Sequence, residues 1–172
     1  MPAAIAPLQA PTAAATVVRP VLVQPDGGRH VHAFGTPVQF LLSGDETGGA
    51  LALGVATTPA GHGPPPHVHH REAEVLVVLE GELEFWVGGE WTRVAAGGAA
   101  FLPAGVPHTY RNAGDAPSRH LVLATPAGFE RFFSACADVF AAADPGAPPD
   151  MDAIVRVSAD HGIEYLVPLG GR

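Results

Sequence analysis

Three histidines and one glutamate stand at spacings that let their side chains meet: His67-Val68-His69, then Glu74, and further along the chain His108. Side chains at i and i+2 of a strand share a face, so His67 and His69 can address one centre while Val68 and His70 turn the other way. Glu74 opens the run from Glu74 to Glu80, which reads as a buried strand. His108 opens a short strand of its own after the Pro/Gly-rich turn at 103–107. If these strands pair in one sheet, the four side chains converge. Imidazole and carboxylate without thiolate form a donor set suited to a divalent Fe, Mn, Co, Ni or Zn ion, and one such ion per chain is expected. Four protein ligands would close a tetrahedral zinc site. An octahedral ion would keep two positions open, where a substrate oxyanion and dioxygen could bind side by side.

The elements that must position these residues are short. Val21 to Val23, His30 to Phe34, Val38 to Leu42, Leu51 to Thr57 and Leu121 to Thr125 are β-rich segments separated by glycine or proline, a pattern of sandwiches and barrels. Gly88-Gly89 marks a hairpin, because glycine tolerates the positive φ of tight turns. After Pro126 the period changes. Phe129, Phe132, Phe133, Cys136, Val139 and Phe140 form one apolar helical stripe, expected to lie over the barrel's mouth. A Pro-rich linker, 144–149, leads to a second helix over about 151–161, with Gly162 as its C-terminal cap, and a short extended piece follows.

The stretches Gly61 to Gly81 and Gly97 to Asn112 resemble, residue for residue, the paired motifs of the cupin superfamily. Gly61, His67, His69, Glu74 and Gly81 fall on the first motif; Gly97, Pro103, Gly105, His108 and Asn112 fall on the second. No position is missing. The phrases 63–67, 79–83 and 125–132 extend the likeness towards single-cupin proteins grouped with bacterial quercetin 2,3-dioxygenases. The resemblance implies an all-β, double-stranded β-helix of the jelly-roll type, with one or two C-terminal α-helices. It implies His67, His69, Glu74 and His108 as metal ligands, and Glu74 as the base that takes the substrate's hydroxyl proton. The expected organisation is a disordered tail over 1–18, a barrel over 19–125 and a helical segment over 126–172 packed on it.

Composition narrows the partners. With 17 acidic against 9 basic residues among 172 and no basic run, nucleic acid is excluded as an expected partner. No apolar run reaches the roughly 20 residues of a membrane span, and residues 1–16 lack the pattern of a signal peptide. A cytoplasmic protein is expected. The solitary Cys136 reads as a core thiol. Tyr110 shares the face of His108 and either contacts ligand in a catalytic role or is a satisfied tyrosine of the barrel. Glu72 could compete with Glu74 for the metal, although the motif spacing favours Glu74. Asn112 reads as a turn-closing amide. His70 reads as exposed or interfacial, and His30, His32, His62, His120 and His161 as surface or core residues. Phe40, Phe85 and Phe101 are expected to line the interior, or equally to serve as core. An outward Trp86, or the N-terminal strand, is expected in the contact of a homodimer. The expected function is a metal-dependent dioxygenase taking a small-molecule aromatic or polyketide-like enol, together with dioxygen. The alternatives are an isomerase or cyclase using the metal as Lewis acid, and a non-catalytic binding barrel.

Overall fold

The computed structural model describes residues 18–144 and 146–167, so the tail expected over 1–18 lies, apart from Val18, outside the described residues. Among the described residues eleven strands and three helices follow in the order β1 (Arg29–Ala33), β2 (Thr36–Leu42), α1 (Gly44–Thr47), β3 (Ala52–Thr58), β4 (His67–His69), β5 (Ala73–Glu80), β6 (Glu82–Val87), β7 (Glu90–Ala95), β8 (Ala99–Leu102), β9 (His108–Arg111), β10 (Ser118–Thr125), α2 (Phe129–Ala141), α3 (Met151–Asp160) and β11 (Ile163–Tyr165). The strands form two antiparallel sheets, a six-stranded one in the order β1-β2-β3-β10-β5-β8 and a five-stranded one in the order β11-β4-β9-β6-β7. They do not join into one closed ladder. The result is the jelly roll that the motifs imply, built as two facing sheets.

Alternation decides which face is covered. In β3, β5 and β10 every second side chain is buried, and the inward rows supply Leu76, Val78 and Val122. These meet Leu83 and Phe85 of the facing sheet in one apolar cluster. A second cluster places Phe132, Phe133 and Cys136 of α2 and Ile154 of α3 against Val31, Val38, Phe40 and Ala56. The helical stripe thus packs against β1, β2 and β3, and burial pushes the Cys136 thiol up to about 12, as befits a core thiol. The Gly88-Gly89 hairpin forms between β6 and β7 with φ of 64° and 92°, both positive as the tight turn requires. Gly63 serves a different need. A Cβ there would stand 2.0 Å from the Tyr110 carbonyl oxygen, so only glycine lets the loop before β4 lie against β9.

Four expectations are corrected. Val21 to Val23 is not a strand, and Leu22 is 92% exposed; Pro20 and Pro25 bracket the segment, and proline has no N–H to offer a ladder. The run from Glu74 to Glu80 is buried on one face, with Val75 and Val77 half-buried outside and Leu79 exposed. Phe101 does not line the interior but is 65% exposed on the outer face of edge strand β8, because its inward neighbours in the β8 alternation are Ala100 and Leu102. Phe40 and Phe85 are buried as expected. The fourth concerns the strands that carry His67, His69, Glu74 and His108, which do not share one sheet. Helix α1, a single turn, was not visible in the periodicity; it is held by a capping box in which Ser43 and Glu46 satisfy each other's backbone amides. Among the described residues no helix is long and apolar enough to cross a membrane.

Asn112 closes the turn after β9 as its amide suggests. Its Nδ2 donates to the Thr58 and Ala116 carbonyls at 2.9 and 2.8 Å, and its Oδ1 accepts from the Gly114 N–H at 3.0 Å. The side chain is 1% exposed, so truncation leaves the buried Thr58 carbonyl bare. An Asn112→Ala protein should therefore lose about 2 to 4 kcal/mol of stability in urea denaturation. A loss below about 0.5 kcal/mol, the level of an ordinary surface change, would contradict this bonding role.

Candidate metal centre

His67 and His69 lie on β4 and His108 on β9, directly opposite His67 in the five-stranded sheet. Glu74 lies on β5, opposite Leu102 and Ala124 in the six-stranded sheet. The carboxylate therefore reaches across from the facing sheet instead of standing beside the imidazoles in one sheet. All four residues are buried, and one ligand atom from each lies within 4.8 Å of the others.

The hydrogen bonds fix how these rings are turned. His67 Nδ1 is 2.8 Å from the Pro65 carbonyl and His108 Nδ1 is 2.8 Å from the Val106 carbonyl. A carbonyl only accepts, so each Nδ1 carries the proton and each neutral ring presents its Nε2 lone pair inward. His108 Nε2 then faces Glu74 Oε2 at 3.2 Å, and His69 Nε2 faces the same oxygen at 3.5 Å. Lone pairs opposed at such distances in a buried site repel unless a cation, a proton or a metal, lies among them. The donor set and its backbone-fixed tautomers fit a divalent transition ion.

The electrostatics follow from this crowding. Without an ion, the cation among these atoms is a proton: burial alone would raise the Glu74 carboxyl, but a charged His69 and a hydrogen bond from His108, followed by His67, outweigh it and hold the group at about 2. Burial, reinforced by His69, pushes His67 down to about 4. His69 is also disfavoured in its charged form by burial, yet Glu74 and Glu72 raise it above its ordinary value. Glu72 sits on the other side of that ring. Its Oε2 is 3.8 Å from His69 Nδ1, beyond a hydrogen bond, and both atoms lack a partner. Glu72 is thus a buried neighbour of His69 and stands outside the four-residue cluster.

The cluster opens on a cavity of about 290 Å³, lined by the apolar side chains of Phe34, Val38, Leu76, Val122, Phe129 and Phe132 among others. That is the lower end of small-molecule sites, roughly 300 to 1,000 Å³. Tyr110 forms part of the wall, and burial pushes its phenol up to about 12. The sequence reading missed two further wall residues. Tyr165 arrives on β11, which pairs with β4 and sets Tyr165 opposite His67; only the extended piece itself was legible. His120 faces inward from β10, 1% exposed, where the apolar run from Leu121 to Leu123 hides the alternation that would have placed it. Of the other histidines, His70 is exposed and paired with Glu164 at 2.9 Å, and His161 bonds the Val157 carbonyl at the end of α3.

The buried neutral rings carry a stability signature. Burial holds His120 at about 4 against 6.5, so between these values the unfolded chain binds a proton that the native protein refuses. Stability from this group is full above 6.5 and is lost as the pH falls towards about 4. Between about pH 6.5 and 5, metal-free His120→Asn protein should show a stability-versus-pH slope shallower than wild type by about 1 kcal/mol per pH unit. Equal slopes in urea denaturation would mean that His120 titrates normally.

Residues 54–124 match the family model of the cupin domain. An uncharacterized protein of Streptomyces coelicolor is 33% identical over 92 residues, covering 54% of this chain and 81% of the relative. The chain belongs to the cupin superfamily. This cupin is also 34% identical over 87 residues to quercetin 2,3-dioxygenase of Bacillus subtilis, covering 50% of the cupin and 25% of that enzyme. The match therefore spans about a quarter of that relative's length. Among solved structures, a predicted oxalate decarboxylase from Thermotoga maritima superposes with a TM-score of 0.56 at 21% identity, covering 62% of this cupin and 99% of that chain. That likeness is one of fold.

Proposed function

We propose that this cupin is a metal-dependent, quercetinase-like dioxygenase acting on an aromatic or polyketide-like enol or hydroxy-ketone. The observation that carries the reading is the buried ring of His67, His69, Glu74 and His108, whose inward lone pairs require a cation, at the end of an apolar, aromatic-walled cavity. The sequence likeness to quercetin 2,3-dioxygenase supports the substrate class. A divalent ion held by His67, His69, Glu74 and His108 would supply Lewis acidity and a path for electrons between substrate and dioxygen. Glu74 is assigned a second task besides ligation, that of taking the proton of the substrate hydroxyl. Tyr110, whose phenol burial pushes up to about 12, is assigned the role of donating a hydrogen bond to the substrate. The phenylalanines exclude water from the reacting centre.

The test is oxygen uptake by protein loaded with one metal at a time, on a panel of flavonols. Oxygen consumed in step with loss of the flavonol supports the reading. Conversion of the ligand without oxygen uptake would transfer the site to an isomerase or cyclase, and binding without conversion would make it a binding protein. The proposal includes a homodimer. Trp86 is half-buried beside its cross-strand partner Trp91, whereas Phe101 and Leu79 leave large apolar surface on the outside of the six-stranded sheet, so Phe101→Glu should lower the mass seen by light scattering.

A further inference from the structure

His120 stands outside the four-residue cluster. It shares the inward row of β10 with Val122 and Ala124 and is 1% exposed. Its ring meets Tyr110 edge-on, with centroids 5.3 Å apart at 73°, and both side chains form part of the cavity wall. Its Nδ1 is buried without a hydrogen-bond partner. Buried polar groups are nearly always paired, so a bare one on a side chain in the wall of a cavity marks where a ligand supplies the missing partner. The register gives the backbone separation of His120 from Glu74, one of the four clustered residues. Glu74 pairs with Ala124 and Val78 with His120, a separation of four residues, or roughly 13 Å along the strand at 3.3 Å per residue. Leu76 and Val122 pair between them. The cavity thus carries polar groups at the four-residue cluster and at His120 with Tyr110 beside it, and the apolar Leu76 and Val122 lie between along the sheet.

We propose that His120 is a ligand-recognition residue, exchanging a hydrogen bond with a hydroxyl or carbonyl group at the end of the ligand remote from the metal centre. A neutral imidazole offers one donor and one acceptor, so either group is read. The ligand class is a flat, largely apolar molecule with oxygen atoms for the metal centre at one end and a second polar group at the other. The choice of probes, though not the assignment, rests on the oxygenase reading.

The experiment measures binding of 3-hydroxyflavone and of its 7-hydroxy and 4′-hydroxy derivatives to metal-loaded protein without air, by fluorescence quenching. One derivative should bind wild type about 2- to 10-fold more tightly than the parent, the usual net worth of one hydrogen bond. In His120→Phe that preference should vanish, and in His120→Gln, which restores donor and acceptor, it should partly return. If His120→Phe fails to fold, His120→Leu replaces it, with metal content as the check of integrity. A preference unchanged in the apolar variant, no preference in wild type, or no binding of any of the three overturns the assignment. Admitting air to the same samples tests the oxygenase reading separately. Preference lost in the variant with no oxygen uptake by wild type keeps His120 and removes the oxygenase; oxygen uptake with unchanged preference does the reverse.

Discussion

A Glu74→Gln protein, compared with wild type at equal metal content, is expected to turn over about 10²- to 10⁴-fold more slowly, the usual worth of a general base. The amide keeps the shape of the carboxylate and one oxygen for the metal but cannot take a proton. Because it is also a weaker ligand, lower loading would mimic a lost base, so occupancy has to be measured on the samples assayed. Substrate binding should persist in the loaded variant. Near-normal turnover at full occupancy would remove the base role from Glu74 and leave it a ligand only.

The second large effect is on the metal itself. In His69→Ala and His108→Ala the Kd for the ion should rise by at least about 10²-fold, since even the outer partners of metal-bound histidines are typically worth about 10- to 100-fold. Both variants remove an Nε2 that faces Glu74 Oε2, so each leaves the carboxylate with less charge to balance it. In wild type, occupancy should fall as the pH is lowered from 7 towards 5. Protons compete for the ligands, and His69, despite its burial, takes one readily because Glu74 and Glu72 favour its charged form. Unchanged stoichiometry in both alanine variants would place the ion elsewhere.

The ligand spacing and the strand periodicity made much of the site legible. His67 and His69 share a face because they are two apart, and His108 follows a turn that its proline and glycine announce. What spacing could not show is that Glu74 comes from the opposite sheet, because strand pairing is a long-range property that no local pattern records. Phe101 and Phe85 look alike in sequence, yet one is 65% exposed and the other buried. Which face of a strand is covered depends on the layer above it, and β8 is an edge with nothing packed on its outer side. His120, expected as a surface or core residue, is indeed buried, but its place in the cavity wall was hidden for a related reason. In Arg119-His120-Leu121-Val122-Leu123 three consecutive apolar residues mask the two-residue period, so only the register of β10 with β3 and β5 turns the histidine inward. Tyr165 depended on the chain returning after α3 to pair with β4. The helical stripe from Phe129 to Phe140 was plain, because a period of 3.6 over three turns has no competing explanation.

Anomalous diffraction from crystals grown with a single divalent metal tests the central claim most directly. The expected result is one strong peak per chain, about 2.0 to 2.2 Å from the Nε2 atoms of His67, His69 and His108 and from a carboxylate oxygen of Glu74. A peak bound elsewhere, or none in protein that analysis shows to contain the metal, would contradict it.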